Sequence, residues 1–214
     1  MSRKPILLDL FCCAGGAGMG YHRAGFDVVG VDKKPQRNYP FRFVQADALE
    51  YLAECGRCFD AIHASPPCQE FSCTHSIHAE NEYPDLIEPT RELLVSSGKP
   101  WIMENVIGAP LVDTVTLCGL MFGLKVFRHR LFESNVFLMQ PPHHSHKGKR
   151  IGKDGYCTPS GHGDNSTGLV PPDHRRKAAW ASAMGIDWMT KEELTQAIPP
   201  AYTEFLGRQL LLHL

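Results

Sequence analysis

The sequence predicts an α/β fold, an open and mainly parallel sheet with helices on both faces. Three observations predict it. Short apolar runs alternate with amphipathic, helix-length segments through the N-terminal half. A glycine-rich turn, Cys12-Cys13-Ala14-Gly15-Gly16-Ala17-Gly18-Met19-Gly20, joins the first apolar run to the first helix. The apolar runs end in acids or in a rigid turn: Asp32, Asp47, Pro66-Pro67-Cys68 and Glu104. Ligands and chemistry in such sheets sit at the C-terminal edge of the strands.

The elements follow in order. Residues 6–11 read as a buried strand, 21–24 as the helix that continues from the glycine turn, and Gly25 as its cap. A second strand covers 27–31 and ends in Asp32, an acid placed to accept bonds from ribose hydroxyls or simply to sit solvated in its turn. Strand–glycine turn–helix–strand–acid is a Rossmann-like cofactor half-fold, and its glycine spacing differs from the dinucleotide pattern. A third strand at 41–45 delivers Asp47, and a helix follows at 48–55. Cys55 and Cys58 have CxxC spacing without a second pair, so they read as structural. A strand at 59–63 runs into Pro66-Pro67-Cys68, where two prolines stiffen the turn below a thiol. Taken alone, a cysteine there is a small buried residue after a turn. A helix at 84–97 and a strand at 100–103 bring in Glu104, a carboxylate at a buried strand end. A capping box begins a short helix after Thr190, and Pro199 opens the last helix.

The 214 residues form one core-sized unit with 43% hydrophobic residues and a formal charge of −1, so any nucleic-acid surface must be local. Eight scattered cysteines, no apolar leader and no membrane-length run imply a reduced cytoplasmic setting.

Asp9-Leu10-Phe11-Cys12 with Gly15-Gly16, then Pro66-Pro67-Cys68-Gln69 and Glu104-Asn105-Val106, stand in the order and spacing of the DNA (cytosine-5)-methyltransferase family, which the chain resembles. Arg128-His129-Arg130 looks like that family's Arg-x-Arg motif, and Ile198-Pro199-Pro200-Ala201-Tyr202 like its last motif. Arg91 stands where an intermediate helix carries an arginine. The resemblance covers about residues 5–133 and 175–212. It implies an S-adenosylmethionine-dependent methyltransferase sheet: a core at 1–133, a reduced recognition insert at 134–174, and C-terminal helices at 175–214 that complete the core. It implies Cys68, Glu104, Arg128 and Arg130 as catalytic residues. Phe11, Gly15, Gly16, Asp32, Asp47, Pro67 and Gln196 would contact the cofactor, S-adenosylmethionine.

The implied chemistry suits these side chains. Carbon 5 of cytosine is too electron-poor to take a methyl group directly, and a thiolate adding at carbon 6 makes it nucleophilic. The base must leave the duplex to be reached. Ser72 in the loop after Cys68, together with Lys147, Lys149, Arg150, Arg175 and Arg176, would contact double-stranded DNA. The chain departs from the family's pattern at Cys13 (usually glycine), Val126 (usually Gln) and Gln196 (usually Asn). The insert is short, so a short or loose target sequence is expected, and a helper protein that supplies recognition is a candidate partner. RNA cytosine methylation, transfer of a different donor group and non-catalytic DNA binding are the alternative readings. The chain reads as a monomer and as a phage-borne or restriction-modification enzyme. His143, His144, His146 and His162 with Cys157 match no standard zinc spacing, so no metal site is predicted.

Overall fold

The computed structural model describes residues 3–67, 85–151, 154–159 and 173–214, with backbone alone for 173–176. Among the described residues seven strands form one sheet: β1 (Ile6–Leu10), β2 (Asp27–Asp32), β3 (Arg42–Gln45), β4 (Ala61–Ala64), β5 (Trp101–Asn105), β6 (Val115–Leu117) and β7 (Arg130–Ser134). Their order is β3-β2-β1-β4-β5-β7-β6. β1 to β5 pair in parallel, whereas β7 runs antiparallel to both β5 and β6. Among the described residues six α-helices accompany them: α1 (Gly16–Ala24), α2 (Ala48–Cys55), α3 (Ile87–Ser97), α4 (Asp173–Met184), α5 (Lys191–Gln196) and α6 (Pro200–Leu210).

Strand alternation explains the two-sided core. On one face Leu7, Val28, Ile102 and Phe132 pack against Tyr21 of α1 and Tyr202, Leu206 and Leu210 of α6. On the other face Leu8, Leu10, Val31, Ile62 and Met103 pack against Leu52 of α2 and Ile87 and Leu94 of α3. A third cluster packs Ala14, Val126 and Cys157 against Trp180, Met184, Met189 and Leu194. That cluster joins the C-terminal helices and part of the insert to the glycine turn.

Several sequence expectations need correction. The helix of the glycine-rich segment begins at Gly16, not near Tyr21. Its glycines serve helix packing: a Cβ on Gly20 would lie 2.0 Å from Thr203 Oγ1 and 2.2 Å from the Pro200 carbonyl oxygen of α6. β6 and β7 were not expected as strands. Three-residue β6 is too short to show a period, and β7 carries Arg130 and Glu133 among its apolar residues. The Thr190 capping box forms as expected, with Thr190 accepting from the Glu193 N–H and Glu193 from the Thr190 N–H.

Candidate active site

The strand polarity gathers one edge of the sheet. β1 to β5 all end there, and antiparallel β7 begins there, with Leu131 opposite Asn105. Phe11 leaves β1 with φ 56° and Cys13 follows with φ 45°, both in the left-handed region. That conformation explains why a glycine suits position 13. Asp32, ending β2, accepts the Cys13 N–H at 3.0 Å through Oδ2 and the Lys34 N–H at 2.9 Å through Oδ1. It thus locks the strained turn, and each oxygen keeps a lone pair for a further donor. Asp47 caps α2, Oδ1 accepting from the Leu49 and Glu50 N–H groups, while Oδ2 lies 4.0 Å from Lys33 Nζ. Gly15 is left-handed, with φ 81°, and Gly16 abuts the Ile198 backbone. Trp188 Nε1 donates to the Ala14 carbonyl at 2.8 Å, so the C-terminal segment closes over the turn.

At the β4 and β5 ends the polar groups form a connected set. Pro66 is buried and Pro67 exposed. Asn105 Nδ2 donates to the Pro66 carbonyl at 3.2 Å, and its Oδ1 accepts the Val106 N–H at 2.8 Å. The turn that leads to Cys68 is therefore tied to the end of β5. Glu104 is buried, and Arg130 Nε lies 2.8 Å from its Oε1. The N–H is not directed along this contact, so Oε1 pairs electrostatically and has no hydrogen-bond donor among the described residues. Burial raises the Glu104 pKa, with Arg130, Arg128 and a hydrogen bond from Ser65 opposing the shift. Tyr21 OH lies 3.0 Å from His63 Nδ1, and His63 Nε2 lies 2.9 Å from Ser65 Oγ. Burial holds His63 neutral, with its pKa lowered to about 3. One tautomer satisfies the whole relay: Tyr21 donates to Nδ1, Nε2–H donates to Ser65, and Ser65 donates to Glu104.

Sequence reasoning passed over this relay and assigned no role to Asp9, although a carboxylate within an apolar strand is the signal to follow. Asp9 is 1% exposed. Its Oδ2 accepts from Tyr39 OH at 3.1 Å, and its Oδ1 has no partner among the described residues. Burial pushes its pKa up to about 8.

The two motif arginines part company. Arg130 meets Glu104 and also donates from Nη1 to the His129 carbonyl at 3.0 Å. Arg128 is buried, and it donates to the Pro159 carbonyl at 2.9 Å and the Thr195 carbonyl at 2.6 Å. Its carbonyl accepts from Tyr202 OH at 2.6 Å. Arg128 thus braces the insert, α5 and α6 against one another. Arg91 is likewise a brace, paired with the buried Glu133 at 2.7 Å and with Glu88. Gln196 is exposed, with Nε2 3.3 Å from Thr195 Oγ1. In the insert, Arg150 pairs with Asp154 at 3.2 Å and Lys149 donates to the Ser145 carbonyl at 2.8 Å, while Lys147 is exposed. Cys68, Ser72 and His162, and the side chains of Arg175 and Arg176, lie outside the described residues. Among the described residues the histidines of the insert and Cys157 lie apart. Cys157 packs in the third apolar cluster, whereas His143 and His146 meet Cys118 and His129.

No protein-family profile matches the chain. It is 26% identical over 186 residues to the Type II methyltransferase M.AgeI of Thalassovita gelatinovora, an alignment covering 68% of this chain and 43% of that protein. It is 31% identical over 83 residues to the Type II methyltransferase M.FnuDI of Fusobacterium nucleatum, covering 36% and 24%. The chain is a sequence relative of Type II methyltransferases. It spans less than half the length of these curated relatives. The fold matches a protein described as a prophage-encoded DNA modification methyltransferase from E. coli, with TM-score 0.65, 14% identity and coverage of 97% of this chain and 99% of that one. It also matches the S. pombe Dnmt2 methyltransferase, with TM-score 0.62, 13% identity and 99% coverage of both. The seven-stranded sheet is thus a methyltransferase fold. Among the described residues no helix is long and apolar enough to cross a membrane.

Proposed function

We propose that this chain methylates carbon 5 of a cytosine flipped out of double-stranded DNA, with S-adenosylmethionine as donor. The observation that carries the reading is the buried Glu104–Arg130 pair at the sheet edge, beside the Pro66 carbonyl that leads to Cys68. A carboxyl kept toward its neutral form can donate to ring nitrogen 3, and its bare Oε1 can accept from the exocyclic amino group. Cytosine presents that acceptor and donor side by side. Arg130 has donors beyond its two contacts for the base's carbonyl oxygen.

The donor set also suits the cofactor. Asp32 and Asp47 keep acceptor capacity for hydroxyl and amino groups, and Phe11, Gly15, Gly16 and Pro67 line the same edge. When bound, S-adenosylmethionine supplies an electrophilic methyl group for carbon 5. The chain's own residues do the rest. The Cys68 thiolate forms a bond to carbon 6, and the displaced electron pair makes carbon 5 nucleophilic. Glu104 holds the proton at nitrogen 3 through that step. After methylation a base removes the carbon 5 proton, and the electrons expel the thiolate. Arg128 acts by positioning Arg130. Ser72, Lys147, Lys149, Arg150, Arg175 and Arg176 supply the phosphate-facing surface in this reading, with Arg150 first released from Asp154.

A duplex bearing 5-fluorocytosine tests this, because fluorine cannot leave as a proton does. Intact mass after incubation with S-adenosylmethionine should show protein plus DNA plus methyl, and Cys68→Ser should abolish that species. Cofactor binding without any adduct on varied-sequence DNA would overturn the proposal, and an adduct formed only on RNA would reassign the substrate.

A further inference from the structure

Apart from the proposed active site, four side chains converge from three separate parts of the chain. Cys118 directly follows β6 and is fully buried. His129 directly precedes β7, and His143 and His146 come from the insert. Their donor atoms all lie within 4.8 Å of one another. We propose that Cys118, His129, His143 and His146 form a structural zinc site that clamps the insert to the edge of the sheet.

Distances carry the assignment. Zn–N bonds of about 2.0–2.1 Å and a Zn–S bond of about 2.3 Å place the ligand atoms of a tetrahedron roughly 3.3–3.6 Å apart. Cys118 Sγ lies 3.4 Å from His146 Nε2, and His129 Nε2 lies 3.4 Å from His143 Nε2. These pairs share no residue, so they are two opposite edges of such a tetrahedron, already at length. The other edges need contract by no more than about 1–1.5 Å. Two isolated hydrogen bonds would explain each edge separately, but they give no reason for all four donors to converge. The three imidazole centroids lie 5.0–5.3 Å apart, an arrangement that three charged rings would oppose and a shared cation favours.

The surroundings suit a closed site. Phe127 stacks on the His146 ring at 4.6 Å and on the Tyr156 ring at 4.9 Å. One thiolate and three imidazoles match zinc better than calcium or magnesium, which prefer oxygen. Four protein ligands leave no open position, which marks a structural role. Binding deprotonates Cys118, the proton passing to solvent, and uses neutral imidazoles. The insert has few apolar residues of its own, so a metal would replace the core it lacks. His129 stands between Arg128 and Arg130, so the clamp would also hold the segment that carries Arg130 to Glu104.

The test uses the full chain without a polyhistidine tag. Elemental analysis should find about one zinc per chain. Cobalt replacing it should give tetrahedral ligand-field absorption and a thiolate-to-cobalt charge-transfer band. Cys118→Ser should remove that charge-transfer band. His143→Ala, a change at an exposed side chain, should weaken zinc binding more than about 100-fold. His144→Ala, at the neighbouring exposed histidine, should leave it unchanged. Failure of the folded chain to bind offered zinc would overturn the proposal. So would undiminished binding in both Cys118→Ser and His143→Ala.

Discussion

Asp9→Asn should remove a large, pH-dependent cost of folding. Asp9 is fully buried, and its pKa stands near 8 against an ordinary value of 3.8. The folded chain therefore keeps the proton through a range in which the unfolded chain releases it. Stability from this group is highest below the unfolded pKa. It falls by about 1.4 kcal/mol per pH unit until pH reaches the folded value, then levels off. The whole window amounts to roughly 5–6 kcal/mol as an upper limit. His63 acts in the opposite direction: its folded pKa is lowered to about 3, so its contribution grows as pH rises to its unfolded value. A pH profile of the wild-type chain alone mixes the two. The difference between wild type and Asp9→Asn cancels His63 and isolates Asp9. Urea denaturation of both proteins across about pH 5.5 to 7.5 should show wild type losing about 2–3 kcal/mol relative to the variant. A constant offset from losing the Tyr39 contact would not alter that slope. A flat difference across the range would mean that Asp9 ionises normally, and the reasoning from burial would be wrong.

Two further substitutions test the packing of the same turn. Cys13→Gly should stabilise the chain by about 1 kcal/mol, because Cys13 occupies the left-handed region at φ 45°; thermal melts would check it, and a loss of stability would show that the thiol packs more favourably than the backbone is strained. Gly20→Ala should destabilise by about 3 kcal/mol or more, since the added methyl meets Thr203 and the Pro200 carbonyl; an unchanged denaturation midpoint would show that α1 and α6 separate easily.

Most of the sheet was legible because strands buried on both faces are written as apolar runs, as in Ile6–Leu10 and Trp101–Asn105. The Thr190 cap was legible for the same local reason, since Thr190 and Glu193 satisfy each other's N–H groups three residues apart, whereas the Asp47 cap was not read from the sequence. Glu104 and Arg130 were legible as motif members, yet their pairing depends on β7 lying antiparallel beside β5. β7 itself was missed, because its buried Glu133 is neutralised by Arg91, a residue 42 positions away. Arg128 could not be told from Arg130 by sequence, since its partners are the carbonyls of Pro159 and Thr195, brought in by the insert and by α5.

What the sequence determined by itself is the elements other than β6 and β7 and the edge to which its reactive residues belong, because periodicity, caps and turn residues act over a few positions. Only the tertiary structure decided which of those residues meet. Gly20 of α1 proves to be a contact with α6, Asp9 a buried acid without a partner for Oδ1 among the described residues, and Cys118 a neighbour of three histidines. Each of these depends on a crossing of distant segments, where burial and close approach set the chemistry, and no local pattern encodes that distance.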